Sequence, residues 1–135
     1  MFRIEKTNYG FLLTFESFMS KEEVQNWYNE ASKHLENNNS EFFVFVDMRH
    51  LIPLLPDAQQ IMEKGQKVFK QKGMLRSAVV VKDKITKMQF IRLAKQTGIY
   101  HYEIYIDASN DKNWKQTAEN WLLHSIDPEN ETVAY

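Results

Sequence analysis

The stretch FFVFVDMRHLIPLLPDAQQ, Phe42 to Gln60, decides how this chain is read. Residues 42–46 carry no polar side chain. A strand that is apolar on both faces is covered on both, as parallel strands between helices are. The expectation is a strand over 42–46 that stops at the acid Asp47. An apolar loop, residues 48–56, follows with Pro53 and Pro56. Asp57 and Gln60 then have the spacing of a helix cap. The loop is an active-site segment, a switch or a connector, and its neighbours narrow the choice.

Upstream, FRIEK and GFLLTFE (residues 2–6 and 10–16) flank TNYG, where Asn8 and Gly10 suit a hairpin turn. Ser20 and Glu23 form a capping box. Val24, Trp27, Tyr28, Ala31 and Leu35 repeat at helical spacing, predicting a helix over 21–37. Downstream, Ile61, Gly65, Val68 and Phe69 share a helix face, with Gly73 placed as its stop. RSAVVVKD supplies a second buried strand over 76–82, and a helix bearing Phe90, Leu93, Ala94 and Thr97 closes at Gly98. A third strand covers 102–107. The last helix turns Trp114, Ala118, Trp121 and Leu122 inward, and 126–135 read as a polar tail. The order β-β-α-β-α-β-α-β-α predicts one α/β domain over 1–135. Its sheet is mixed but mostly parallel, with an antiparallel N-terminal hairpin.

Composition removes several function classes. Basic and acidic residues number 17 and 18, a net charge of −1, which speaks against a nucleic-acid binder. Cysteine is absent, so thiolate zinc sites and disulfides are excluded. No apolar run is long enough for a transmembrane segment, and MFRIEKTNYG lacks the pattern of a signal peptide. The expected location is cytoplasmic.

The pattern resembles the STAS superfamily (sulphate-transporter and anti-sigma-factor-antagonist domains), in particular its stand-alone bacterial antagonist-like group. The resemblance covers residues 2–124. It rests on the element order, on GFLLTFESFMSKEEV, on FFVFVDMRHL, and on RSAVVVKDKITKMQFIRLAKQTGI followed by YIDASNDKNWKQTAENWL. It implies a small α/β domain that binds partners or ligands rather than catalysing a reaction. In the antagonist branch a strand-end Asp precedes a loop and an Asp-Ser-Ser-Gly helix start with a phosphorylated serine. Asp47 matches that Asp. DAQQ (Asp57, Ala58, Gln59, Gln60) stands at the helix start without a hydroxyl, so the resemblance implies no serine switch here.

Three predicted strands end near acids, Asp47, Asp83 and Asp107. On one sheet edge they would suit a cation or acid–base work, but Asp before a helix is more simply an N-cap. None of His34, His50, His101 and His124 forms an HxH or HExxH motif. His50 lies three residues after Asp47 and is the one His–Asp pair to consider. No serine sits in a nucleophile elbow. The basic run Lys64, Lys67, Lys70, Lys72 and Arg76 reads as a solvated helix face.

Met48, Leu51, Ile52, Leu54 and Leu55 are too apolar for a plain connector. They either plug the end of the sheet or line a pocket, which Met62 and Met88 would share. With Asp47, His50 and Asp57 they make the candidate binding set. The expected function is a non-catalytic regulatory or protein-interaction module, with no cofactor or metal. The alternative is a binder of a small apolar or lipid-like ligand at the C-terminal edge of the strands. Exposed apolar residues on the hairpin or loop leave a homodimer open.

Overall fold

A computed structural model describes residues 1–129. Five strands form one sheet in the order β1-β2-β3-β4-β5. They are β1 (Phe2–Lys6), β2 (Gly10–Ser17), β3 (Phe42–Leu51), β4 (Met74–Val81) and β5 (Glu103–Asp107). β1 pairs antiparallel with β2, and β2 through β5 are parallel. The helices are α1 (Lys21–Leu35), α2 (Pro56–Gln71), α3 (Lys84–Thr97) and α4 (Trp114–His124). A short 3-10 turn, Tyr100–Tyr102, precedes β5.

Sequential strand order fixes where the helices go. Each β-α-β crossover of one hand, built in one direction across the sheet, puts its helix on the same face. Accordingly α1, α2 and α3 share the larger core, centred on Trp27, Phe15, Phe69 and Phe90 with Val44, Val46 and Val79 of the sheet. α4 follows the last strand and covers the opposite face alone, burying Ala118 and Leu122 on Phe45, Val80 and Ile106. It lies over β3, β4 and β5.

Local chemistry agrees with most element ends. Ser20 Oγ accepts from the Glu23 amide at 3.2 Å, which makes half of the capping box. The other half is not made, because Glu23 pairs with the N-terminal ammonium at 2.7 Å. Gly98 closes α3 in the left-handed region at φ 84°. Gly10 takes φ +150°, and a Cβ there would meet the Phe43 carbonyl oxygen, so the turn into β2 requires glycine.

Two expectations around the opening stretch need correction. β3 does not stop at Asp47. It continues through His50 to Leu51, because a bulge opposite Phe15 lets the strand pick up Glu16 and Ser17 of β2. The connector shrinks to residues 52–55. Helix α2 also begins earlier than Asp57: Leu55 is the N-cap and Pro56 occupies the first turn, where proline's missing amide costs nothing. Asp57 and Gln60 therefore do not form its cap. Smaller shifts occur elsewhere: α1 ends at Leu35, β4 starts at Met74, and α4 starts at Trp114. Residues 130–135 of the expected polar tail lie outside the described residues.

Candidate functional site

The extended β3 sorts the candidate residues by strand alternation, reset once where Met48 and Arg49 together oppose Phe15. Met48 and Leu51 turn into the α1–α3 core and are 3% and 2% exposed. Asp47 and Arg49 lie two apart, half-buried, and hold each other. Arg49 Nε donates to Asp47 Oδ1 and Nη2 to Oδ2, both at 3.0 Å, and the Arg49 amide adds a bond to Oδ1 at 3.1 Å. The guanidinium also lies 4.2 Å from the Trp114 ring centre on α4. Burial pushes the Asp47 carboxyl up, but the hydrogen bonds and charge of Arg49 outweigh it and hold the group below its usual value. Asp47 is thus an ionised structural anchor with its lone pairs engaged. His50 is exposed and makes no hydrogen bond to Asp47, although its charge adds a small pull in the same direction as Arg49.

The short connector is pinned to α3. Gln89 accepts from the Leu54 amide at 2.9 Å and donates to the Leu54 carbonyl at 3.1 Å. Thr86 Oγ1 donates to the Leu51 carbonyl at 3.2 Å, and Gln59 Nε2 reaches the Leu54 carbonyl at 2.8 Å. Leu54 is consequently buried, whereas Ile52 and Leu55 on either side of it stay 48% and 54% exposed. On α3, the neighbours of the pinning residues are exposed too: Ile85 at 60% and Met88 at 69%. Ile52 and Leu55 thus flank the pinned Leu54 on the connector, and Ile85 and Met88 precede the pinning residues Thr86 and Gln89 on α3. The candidate set splits, with Met48, Leu51 and Leu54 in the core and Ile52 and Leu55 outside. Asp57 is exposed on the first turn of α2 and accepts from the Ala58 amide at 2.7 Å. Met88 faces outward, away from the cavity that Met62 lines.

The three acids do not converge. Asp83 caps α3, accepting from the Ile85 and Thr86 amides at 2.8 and 2.9 Å. Asp107 caps a turn rather than a helix, accepting from the Ser109 amide at 2.8 Å and Asn110 Nδ2 at 3.0 Å. Among the described residues, no three His, Asp or Glu side chains are grouped as metal ligands. No helix is long and apolar enough to cross a membrane.

Two spaces remain. A groove of about 490 Å³ lies beside α4; Tyr9, Leu12, Phe45 and Trp114 floor it, and Asp47, Lys115 and Glu119 edge it. Burial pushes the Tyr9 phenol above its usual value, and nearby Glu119 adds to the shift while a Thr7 hydrogen bond opposes it. Inside the larger core, a cavity of only about 40 Å³ lies among Trp27, Met48, Met62, Gln66 and Glu103. That is room for water-sized molecules, not for a lipid chain. Trp27 Nε1 beside it has no hydrogen-bond partner among the described residues.

Sequence reasoning missed Arg49, because the pairing with Asp47 depends on both lying inside the strand. It also missed Glu103, which is fully buried on β5 and accepts hydrogen bonds from Ser77 Oγ and, at 2.6 Å, from the Tyr105 hydroxyl. A polar residue at an inward position of a short strand was its only signal. Comparison with known proteins finds no matching family model, no similar curated protein and no similar solved structure.

Proposed function

We propose that the protein is a non-catalytic interaction module of STAS-like type that docks a protein partner at the seam between the β3–α2 connector and α3. One observation carries the reading: Ile52 and Leu55 on the connector and Ile85 and Met88 on α3 are all exposed, and Gln89 and Thr86 bind the two segments to each other. Large apolar side chains on a rigid support lose little conformational freedom on binding, and a cluster of them marks a contact surface more than single exposed residues do. No proton-transfer group accompanies them. His50 is exposed and unpaired with Asp47, and Asp47 is engaged by Arg49. The helix start Asp57–Gln60 offers no hydroxyl, so partner concentration rather than serine phosphorylation controls occupancy.

The test compares affinity capture from cell extract by the wild type and by an Ile52→Ser, Leu55→Ser, Met88→Ser variant of equal thermal stability. A partner retained by the first and lost by the second supports the reading. Identical recovery on both would sink it.

A second reading is supported by the groove beside α4. Its aromatic floor and size suit a small apolar ligand. That position is beside Trp114, not at the strand C-terminal edge where the sequence suggested it. Native mass spectrometry of the purified chain decides: a co-purifying small mass that Trp114→Ala abolishes favours the ligand reading.

A further inference from the structure

Charge is unevenly distributed in this near-neutral chain. Residues 57–97 carry ten Lys and Arg against three Asp and Glu, a net of +7. The remainder carries seven against fifteen, a net of −8. Arg76 turns away to α4, where it donates to the Trp121 and Leu122 carbonyls at 3.0 and 2.7 Å. The other cations lie on or beside α2 and α3. None of them makes an ion pair among the described residues.

An ordinary solvated helix mixes both signs and gains from acid–base pairs at i,i+4. α3 contains no acid at all. It also places Lys84 and Lys87 in its first turn, where the helix dipole disfavours cations. The Asp83 carboxylate at the N-cap offsets part of this cost, but along the rest of α3 no acid balances the cations, a pattern expected where function overrides stability. The same helix face carries the exposed Ile85 and Met88. A shallow groove of about 450 Å³ runs along it, lined by Met88, Ile91, Arg92, Lys95 and Gln96. Arg92 is oriented by a hydrogen bond to Gln59 of α2.

We infer that the outer face of α3, extended by the lysines of α2, binds an acidic amphipathic segment of a partner protein. The inference rests on the interaction-module reading and names the chemistry of the partner. Apolar side chains of the segment lie on Ile85, Met88 and Ile91, and its carboxylates meet Lys84, Arg92 and Lys95. An oriented guanidinium suits a carboxylate, which it grips with two parallel bonds. The adaptable thioether of Met88 suits a range of apolar partners in the groove. A nucleic-acid backbone would make no use of the apolar centre. A bilayer surface would make no use of a groove.

The experiment is an amide-resolved NMR titration of the full chain with three synthetic helical peptides. They share one leucine stripe and are flanked by Glu, Gln or Lys. Vesicles of phosphatidylcholine with phosphatidylserine are a fourth probe. The Glu peptide is expected to shift the α3 amides most. Its affinity is expected to fall with added salt and to drop roughly tenfold in Arg92→Glu, Lys95→Glu. Equal binding of the Glu and Gln peptides at α3 overturns the acidic partner while leaving the docking face intact. If no peptide touches α3, both the inference and the docking face fall. Binding to anionic vesicles without peptide binding overturns the inference in favour of a lipid surface. Concentration-dependent shifts of the same amides without any probe overturn it in favour of self-association.

Discussion

Gly65 lies directly against Trp27: a Cβ added at Gly65 would stand 2.3 Å from Trp27 Cζ3 and 2.4 Å from Cη2. Two aromatic neighbours hold the indole in place. Phe69 stacks on it with centroids 5.9 Å apart, and Phe15 meets it edge-on at 5.3 Å. This contact sets the close approach of α1 and α2 over the sheet. Gly65→Ala improves intrinsic helix propensity by up to about 1 kcal/mol, yet forces this cluster apart. The expected net result is a loss of about 1–3 kcal/mol, typical of overpacking. Urea unfolding with an unchanged m-value would measure it, and a stabilised variant would contradict the packing argument.

Glu103 makes stability depend on pH in an unusual direction. Burial raises its carboxyl from an ordinary 4.5 to about 7, against the pull of hydrogen bonds from Ser77 and Tyr105. The folded state therefore holds a proton that the unfolded chain releases. Stability is fully present below the unfolded value, then declines as pH rises through the interval from 4.5 to about 7. The decline is about 3 kcal/mol. In Glu103→Gln this decline should vanish while the neutral amide keeps bonding both hydroxyls. Chemical denaturation across that pH range checks it, and parallel profiles for the two proteins would refute it.

The element order and the buried strands were legible because each strand is a short apolar run bounded by turn or cap residues. Gly98, Asp83 and Ser20 each mark a helix end by local chemistry that the structure repeats. The end of β3 was not legible. Asp47 reads as a stop only if its charge faces solvent, and that depends on Arg49 and Trp114, the latter 67 positions from Asp47. The split within the connector was hidden for a similar reason. Leu54 and Leu55 are chemically identical, and the bonds of Gln89 to the Leu54 backbone decide which one is buried.

The Asp47–Arg49 pair predicts a modest, pH-linked contribution. Asp47→Asn removes the charge-assisted bonds to Arg49 but leaves a polar partner, so about 1–2 kcal/mol should be lost at neutral pH. The folded carboxyl lies below its ordinary 3.8. Its stabilisation is thus present above that value and disappears as pH falls through the lower folded one. Wild type and variant should converge in strong acid. A constant difference at all pH values would assign the loss to packing instead.

Two double substitutions in adjacent positions should have opposite consequences. Leu51 and Leu54 are 2% and 3% exposed, so Leu51→Ser, Leu54→Ser opens the core at the base of α2 and places hydroxyls in it. Each truncation costs about 2–5 kcal/mol. Together they exceed much of the 5–15 kcal/mol typical of a domain, so the variant should be largely unfolded. Ile52 and Leu55 are about half exposed on the same few residues of chain. Ile52→Ser, Leu55→Ser should change stability by less than about 1 kcal/mol and weaken a partner that docks on the seam. Circular dichroism melts of both variants, paired with binding of the captured partner, separate the roles. An unfolded Ile52→Ser, Leu55→Ser chain would mean that the whole connector belongs to the core and that the exposed seam is not a docking surface.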